Sequence, residues 1–481
     1  MDEPLRITCE VLIIGSGPGG ASTAALLAEA GRDVVLIEEG GNYSIDSAPN
    51  YTLDEMDQKY RQAGLTPAFG KTRVTYIEGR CVGGASEINA ALYHRPLPET
   101  LLGWANQYQV DQISAADLAP YFDRIEREIG VVNLRDGEGP ASERLKLGAD
   151  RLGWKSSEIA RFWSYPPGAP REGRRRSMSE TMVPRALRAG ARLFANTQIR
   201  HLETVAGGAT VAVGTTQAED GRRRPVRIAF ADVFVCGGAV QTPALLRRSG
   251  LTHNIGDALR MHPMIRIAAR FADKVNDPAF GVPVRQVEQF KPHMTLGCSH
   301  SSLPHLALWL NGDVPGKKEI LQNIDNVAIF YVAVPGSGAG SVRNLPLFDQ
   351  PFVRYPLTDQ DLALLGEGLY RLGQLAFEAG AVELFNPLPG GKPIRSPGEL
   401  AGLRTGLPQG KINVTTIHLF SSCPMGEDTR RCAVDSFGKL HSARNIYVND
   451  ASILPNTPGV NPQGTILAIA QRNADRYLGR L

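Results

Sequence analysis

Cysteine is scarce, six in 481 residues, with no C-x-x-C spacing and no regular framework. That excludes a disulfide-stapled scaffold and the common structural zinc sites, and leaves free thiols in a reducing compartment as the expectation. Charge of one sign is also lacking. A formal net charge of +3 is too small for this length to make nucleic acid or an anionic membrane the main partner. No uninterrupted apolar run approaches the ~20 residues of a membrane span, so no integral membrane segment is expected. The run "EVLIIGSG" begins at the tenth residue, which leaves no room for a signal peptide, and a cytoplasmic location is the reading that follows. Fixed-period repeats and low-complexity tracts are absent too. Histidine is sparse, nine in all, so each one calls for an account.

What is present is the material of a large core: 42% hydrophobic residues in a chain long enough for two or three structural units. The arginine runs Arg174–Arg176 and Arg222–Arg224 read as solvated loop charge, the second at a hairpin tip between "ATVAV" and "VRIAF". The alternative for the first is the rim of a substrate entrance.

The stretch "CEVLIIGSGPGGASTAALLAEAGRDVVLIEEG" carries the first chemistry. A β-branched run ends at Gly15, a glycine turn follows, and "ASTAALLAEAG" has the small and apolar spacing of a helix packed close on a sheet. Gly15, Gly17 and Gly20 satisfy G-x-G-x-x-G. The first permits the turn, the second admits a pyrophosphate to backbone N–H groups, and the third lets the helix lie on the strand. The helix N-terminus then faces the phosphates with partial positive charge. Glu38 closes the next strand, where a carboxylate accepts hydrogen bonds from ribose hydroxyls. This βαβ site serves NAD or FAD equally well, since both present an ADP half.

Residues 79–96, "GRCVGGASEINAALYHRP", separate the two. Gly83 and Gly84 mark a backbone pressed against something flat or phosphorylated, with Ser86 and Asn89 following. On Gly79, Arg80, Val82, Gly83, Gly84, Ser86, Ile88 and Asn89 the chain resembles the glucose-methanol-choline (GMC) family of FAD oxidoreductases, with Ala85 a slight departure. A second family signature is similar to "GGAVQTPALLRRSGL", residues 237–251, through Gly238, Thr242, Pro243, Leu245, Leu246, Ser249 and Gly250, although Thr252 replaces a final glycine. "NIYVNDASILPNTPGVNPQGTILAIAQRNADRYL" resembles the closing FAD segment. The resemblance implies noncovalent FAD, because Ile88 stands where some members carry a flavin-attaching histidine. It implies cofactor contacts from Gly15, Gly17, Gly20, Glu38, Arg80, Gly83, Gly84, Ser86, Asn89, Ile199, Gly238, Asp450, Ala451, Pro462 and Thr465.

It also implies a fold: α/β, with a Rossmann-like FAD-binding domain from 1–104, 185–265 and 410–481. A smaller α+β substrate-binding domain would come from 105–184 and 266–409. For the reaction, the resemblance places His418 of "HLFSSCPMG" and Asn461 of "GVNPQGT" at the reactive face of the flavin. A neutral imidazole takes the hydroxyl proton while hydride leaves for flavin N5, and an uncharged amide holds the oxygen. The expected activity is FAD-dependent oxidation of a CH–OH group to aldehyde or ketone. Candidate substrates are a sugar, an aminoglycoside-type polyol, a sterol, or a long-chain or aromatic alcohol, with oxygen or another acceptor taking the electrons. The competing readings are an NAD(P)-linked reductase and a flavin-binding protein with lyase-like or sensor activity. His262 reads as structural. His293, Cys298, His300 and His305 read as strand residues lining or backing the substrate pocket, with no metal site expected.

Overall fold

β1 (Leu5–Ile14) forms where β-branched and long aliphatic residues run without a break, and its second half, from Val11 on, is buried on both faces. Such a segment belongs at the centre of a parallel sheet. It pairs in parallel with Arg223–Val235 on one side and with β2 (Val34–Ile37) on the other. Between β1 and β2 runs α1 (Pro18–Glu29), which starts with proline in its first turn and is buried from Gly19 to Ala28. Alanine and glycine fill most of its buried positions, which lets it lie close to the sheet.

The computed structural model describes residues 3–134, 138–166, 173–205, 207–217, 221–277, 281–304, 306, 316–404 and 407–481. The first sheet has seven strands in the order Arg192–Phe194, β2, β1, Arg223–Val235, Gly208–Gln217, Thr197–Val205, with Ile446–Val448 added beside Arg223–Val235. The long strand Arg223–Val235 pairs antiparallel with Gly208–Gln217 over its first half and parallel with Ile446–Val448 over its last three residues. That switch brings the chain after Val448 to the carboxyl ends of β1 and β2, the edge where doubly wound sheets bind ligands. Residues 211–217 pair antiparallel with 223–229, so Arg223 and Arg224 open a strand rather than sit in a loop, and residues 218–220 of the expected hairpin tip lie outside the described residues.

A second sheet of nine strands roofs that edge. Its centre is Met264–Arg270, paired with Val327–Ala333, and Thr295–Ser299 and Arg285–Val287 continue it outward. Behind it packs the 20-residue helix Asp359–Glu378, opened by a capping box between Thr358 and Asp361. Each sheet has its own hydrophobic core. This is the α/β class expected, with a Rossmann-like half and a roof.

The residue boundaries between the two halves differ from the expectation in both directions. Thr66–Ala68, Val74–Tyr76 and Val414–Thr416 join the roof sheet although they lie in segments assigned to the cofactor half. Conversely, the helix Ala115–Ile125 buries Leu118, Tyr121, Phe122 and Ile125 in the core of the first sheet. Strands of three residues have no period to read, and an amphipathic helix does not reveal which core it covers. No helix among the described residues is long and apolar enough to cross a membrane.

Candidate active site

Four strands of the first sheet that end at the roofed edge each hand over a residue to one cavity. Gly15 follows β1, Glu38 follows β2, Gly238 follows Arg223–Val235, and Asp450 and Ala451 follow Ile446–Val448. Gly15 takes φ of 105°, and a Cβ there would meet the Cys236 carbonyl oxygen at 2.2 Å, so neither conformation nor space admits another residue. At Gly17 a Cβ would meet only the Gly84 Cα, at 4.0 Å, and would otherwise project into the cavity. That is the cradle a pyrophosphate needs, at the open N-terminus of α1. The residues present therefore fit FAD.

The acidic groups are held firmly. Glu38 accepts hydrogen bonds from Ser16 N (3.1 Å), Ser16 Oγ (2.7 Å) and Gly40 N (3.0 Å), and burial raises its pKa. A carboxylate has about four acceptor positions, so it keeps capacity for a ribose hydroxyl. Asp450 accepts from Gly238 N at 2.7 Å, Thr242 Oγ1 at 2.6 Å and Ser452 N at 2.8 Å. It thereby ties the last strand to the helix start at Gly238.

At the far end the cavity reaches His418 and Asn461, which also line a second cavity under the roof. Asn461 Nδ2 lies 3.3 Å from His418 Nε2. His418 Nδ1 lies 3.0 Å from His262 Nδ1, and His262 Nε2 contacts Thr457 Oγ1. An amide nitrogen only donates, so His418 Nε2 accepts and its proton sits on Nδ1. Nδ1–H then donates to His262 Nδ1, and His262 Nε2–H donates to Thr457 Oγ1, which also accepts from Gly459 N at 3.2 Å. One set of tautomers satisfies the whole chain, and it leaves the basic nitrogen of His418 facing the junction of the two cavities. Burial lowers the His418 pKa to about 4, so the imidazole is neutral at ordinary pH.

Of the cofactor residues inferred from sequence, Gly15, Gly17, Glu38, Gly84, Asn89, Ile199, Gly238, Asp450, Ala451 and Pro462 line the long cavity. Five do not. Gly20 serves packing, since a Cβ there would strike the Gly15 carbonyl oxygen at 1.9 Å. Gly83 N donates to Ser16 Oγ at 3.0 Å, and Ser86 Oγ donates to Gly83 O and accepts from Met178 N, which braces the loop from behind. Thr465 is buried one turn into the last helix. Arg80 sits at the rim, its Nε 3.1 Å from a Glu39 carboxylate oxygen. Sequence reasoning missed Arg61 and Arg248, both lining the cavity at its Glu39 end; isolated arginines outside any motif carry no signal.

Three further expectations change. His262 is no bystander, since it holds the Nδ1 of His418. Arg175 is fully buried, with Tyr51 Oη 3.0 Å from Nη2 and a Glu55 oxygen 3.7 Å from Nη1. Three consecutive arginines look solvated in sequence, yet the partners of this one come from the helix Leu53–Lys59 and the turn before it, 120 and 124 residues earlier. Cys298 and His300 line the roofed cavity as expected, whereas His293 does not, and His305 lies outside the described residues.

The comparisons with known proteins agree with this geometry. The GMC oxidoreductase N-terminal family model matches residues 56–264, its C-terminal model matches 345–470, and an NAD(P)-binding Rossmann-like domain model matches 13–58. An uncharacterized GMC-type oxidoreductase of Sinorhizobium fredii is 37% identical over 99% of this chain and 96% of its own length. A long-chain-alcohol oxidase of Arabidopsis thaliana is 24% identical over 98% of this chain and 68% of its own. Among solved structures, pyridoxine 4-oxidase from Mesorbium loti superposes with a TM-score of 0.75 at 18% identity, covering 98% of this chain and 99% of that one. A cleft built for FAD at the carboxyl edge of a Rossmann sheet, and family models over more than half its length, make this chain a GMC oxidoreductase, an FAD-dependent enzyme acting on alcohol-type donors.

Proposed function

We propose that the protein oxidises a CH–OH group of a small-molecule alcohol to the carbonyl, with His418 as the base. The single observation that carries this reading is the tautomer chain from Thr457 through His262, which presents an unprotonated Nε2 beside Asn461 at the meeting point of the two cavities. Bound FAD supplies a two-electron acceptor for hydride at its N5. His418 Nε2 accepts the hydroxyl proton, and the Asn461 amide donates to the oxygen as negative charge develops on it. The roof half-buries both side chains, which strengthens both interactions. The relatives named as oxidising a long-chain alcohol and pyridoxine support a CH–OH donor of this kind.

The test is anaerobic flavin reduction across alcohol classes. His418→Ala is expected to slow reduction by ~10²–10⁴ with FAD still bound, and Asn461→Ala by roughly 10–10³. The double variant falls short of the product of the two, because both groups act on one oxygen in one transition state. Wild-type reduction is lost only as pH falls through about 4, where His418 gains its proton, and this limb vanishes in His418→Ala. A His418→Ala enzyme reducing at the wild-type rate with the limb intact overturns the assignment.

A further inference from the structure

The roofed cavity is lined by apolar side chains, Ile88, Leu92, Met264, Met294, Val334 and Val460 among them, and no carboxylate among the described residues lines it. It does contain charge of the other sign. Lys291 is already neutralised, its Nζ 3.0 Å from a Glu288 oxygen. Arg266 is different. It stands on the central roof strand Met264–Arg270, and its Nε donates to Ser299 Oγ at 3.2 Å while Nη1 donates to Thr415 Oγ1. Both partners are neutral hydroxyls. Among the described residues no carboxylate pairs with Arg266 and no acceptor takes its Nη2 N–H groups, although arginines elsewhere in this chain are extensively ion-paired.

Arg266 is half-buried in the roof sheet, and it lines the cavity. Burial lowers its pKa to about 10, which still leaves it charged at neutral pH. A guanidinium half withdrawn from water without a counter-charge loses hydration that nothing replaces, and an anion entering the cavity restores a charged partner. Arg266 does not line the cofactor cavity, so the cofactor is not that anion. Directly opposite Arg266 in the sheet is Tyr331, whose hydroxyl accepts from Gln286 Nε2 at 2.8 Å and retains its own proton to donate.

The position fixes the shape of the ligand. His262, Met264 and Arg266 alternate along the chain and line the same cavity, and four residues of extended chain span roughly 13 Å. The His262 ring centroid is 5.2 Å from that of His418. We propose that the substrate is an anionic alcohol, with a CH–OH group at His418 and Asn461, an apolar spacer of roughly 10 Å, and a terminal carboxylate held by Arg266. A single unneutralised cation matches a monoanion, and its planar fork suits a carboxylate. The placement of the CH–OH group rests on the proposed function; the anion site rests on Arg266 and its surroundings.

The experiment uses the FAD-loaded protein and two readouts. The first is anaerobic flavin reduction by ω-hydroxyalkanoates of increasing length, set against their methyl esters and the matching 1-alkanols. The free acid is expected to exceed its ester in kcat/KM by about 10–100-fold at the best length, the range of a hydrogen bond to a charged group. Arg266→Met brings the two to parity, and Arg266→Lys restores part of the difference. The second readout is binding of plain alkanoates, which cannot be oxidised, followed by perturbation of the flavin spectrum; Arg266→Met weakens it by a similar factor. Acid and ester reacting equally in the wild type, or an acid preference that survives Arg266→Met, overturns the inference without needing any variant beyond these. Alkanols that bleach the flavin while alkanoates do not bind sink the anion site alone. Arg266-dependent binding of alkanoates with no bleaching by any alcohol sinks the CH–OH reading and leaves the anion site standing.

Discussion

At His418 the identity of one proton decides whether a base is present. Sequence singled out the imidazole by its motif but could not say which of its nitrogens faces the cavities, because that depends on His262, 156 residues earlier. An imidazole pair 3.0 Å apart has to share one proton along the contact, and only protonation at His418 Nδ1 is compatible with the Asn461 amide on the other side. Under the proposed function His262 is a positioning residue, and burial beside His418 keeps it neutral by lowering its pKa. Replacing it should cost less than losing the base itself. His262→Phe removes the acceptor and is expected to slow flavin reduction by up to roughly 10²-fold, the scale of a misplaced catalytic group, with KM little changed. His262→Gln, whose amide oxygen can still accept from Nδ1–H, should recover part of that loss. Equal rates in the Phe variant and the wild type would assign the orientation of His418 to its backbone contacts alone, where His418 N donates to Thr416 Oγ1 at 3.1 Å.

At the scale of elements, function is concentrated where strands stop. The turn after β1, the end of β2, the start of the helix Gly238–Arg248 and the segment after Ile446–Val448 converge because all four follow strands whose ends share one edge. These elements were legible in sequence for a physical reason. A backbone that must approach a phosphate or another backbone needs glycine, and glycines at fixed offsets are visible without a structure. The loop at Gly83 and Gly84 illustrates this: Gly84 has φ of 57°, and a Cβ on it would come within 2.8 Å of the Gly17 Cα. Gly84→Ala should therefore displace the first glycine turn. An alanine in this region carries roughly 1–2 kcal/mol of backbone strain even before that contact, so the variant is expected to purify with substoichiometric flavin. Gly103→Ala provides the control, since its Cβ would meet nothing within 4 Å and the site is inside a helix. A fully yellow Gly84→Ala protein with unaltered FAD affinity would show that the two loops do not constrain each other. The roof was far less legible. "MIRIAAR" is a strand with both faces covered, so it shows no alternation, and nothing in its sequence distinguishes Arg266 from an arginine that is solvated or paired.

Across the whole molecule the cofactor cleft is the seam between two cores. Its walls come from residues as distant in sequence as Ile14 and Ile466, and His418 follows directly on the roof strand Val414–Thr416. The seam contains two largely buried carboxyl groups, Glu38 and Asp450, whose pKa values burial raises. A ligand with many polar atoms filling this space replaces solvent for both halves at once. FAD binding is therefore coupled to the stability of the assembled fold, by about 2.7 kcal/mol when free FAD is a hundredfold above its Kd. Ile88, lining the roofed cavity, offers no nucleophile for a covalent link, so acid precipitation should release the yellow colour to the supernatant. The chain stripped under milder conditions should melt at a lower temperature than the loaded enzyme, with the melting temperature recovering as FAD is added back and continuing to rise with its concentration. Colour retained on the denatured chain would establish a covalent flavin. A melting temperature indifferent to FAD would mean that the two cores hold the seam without it.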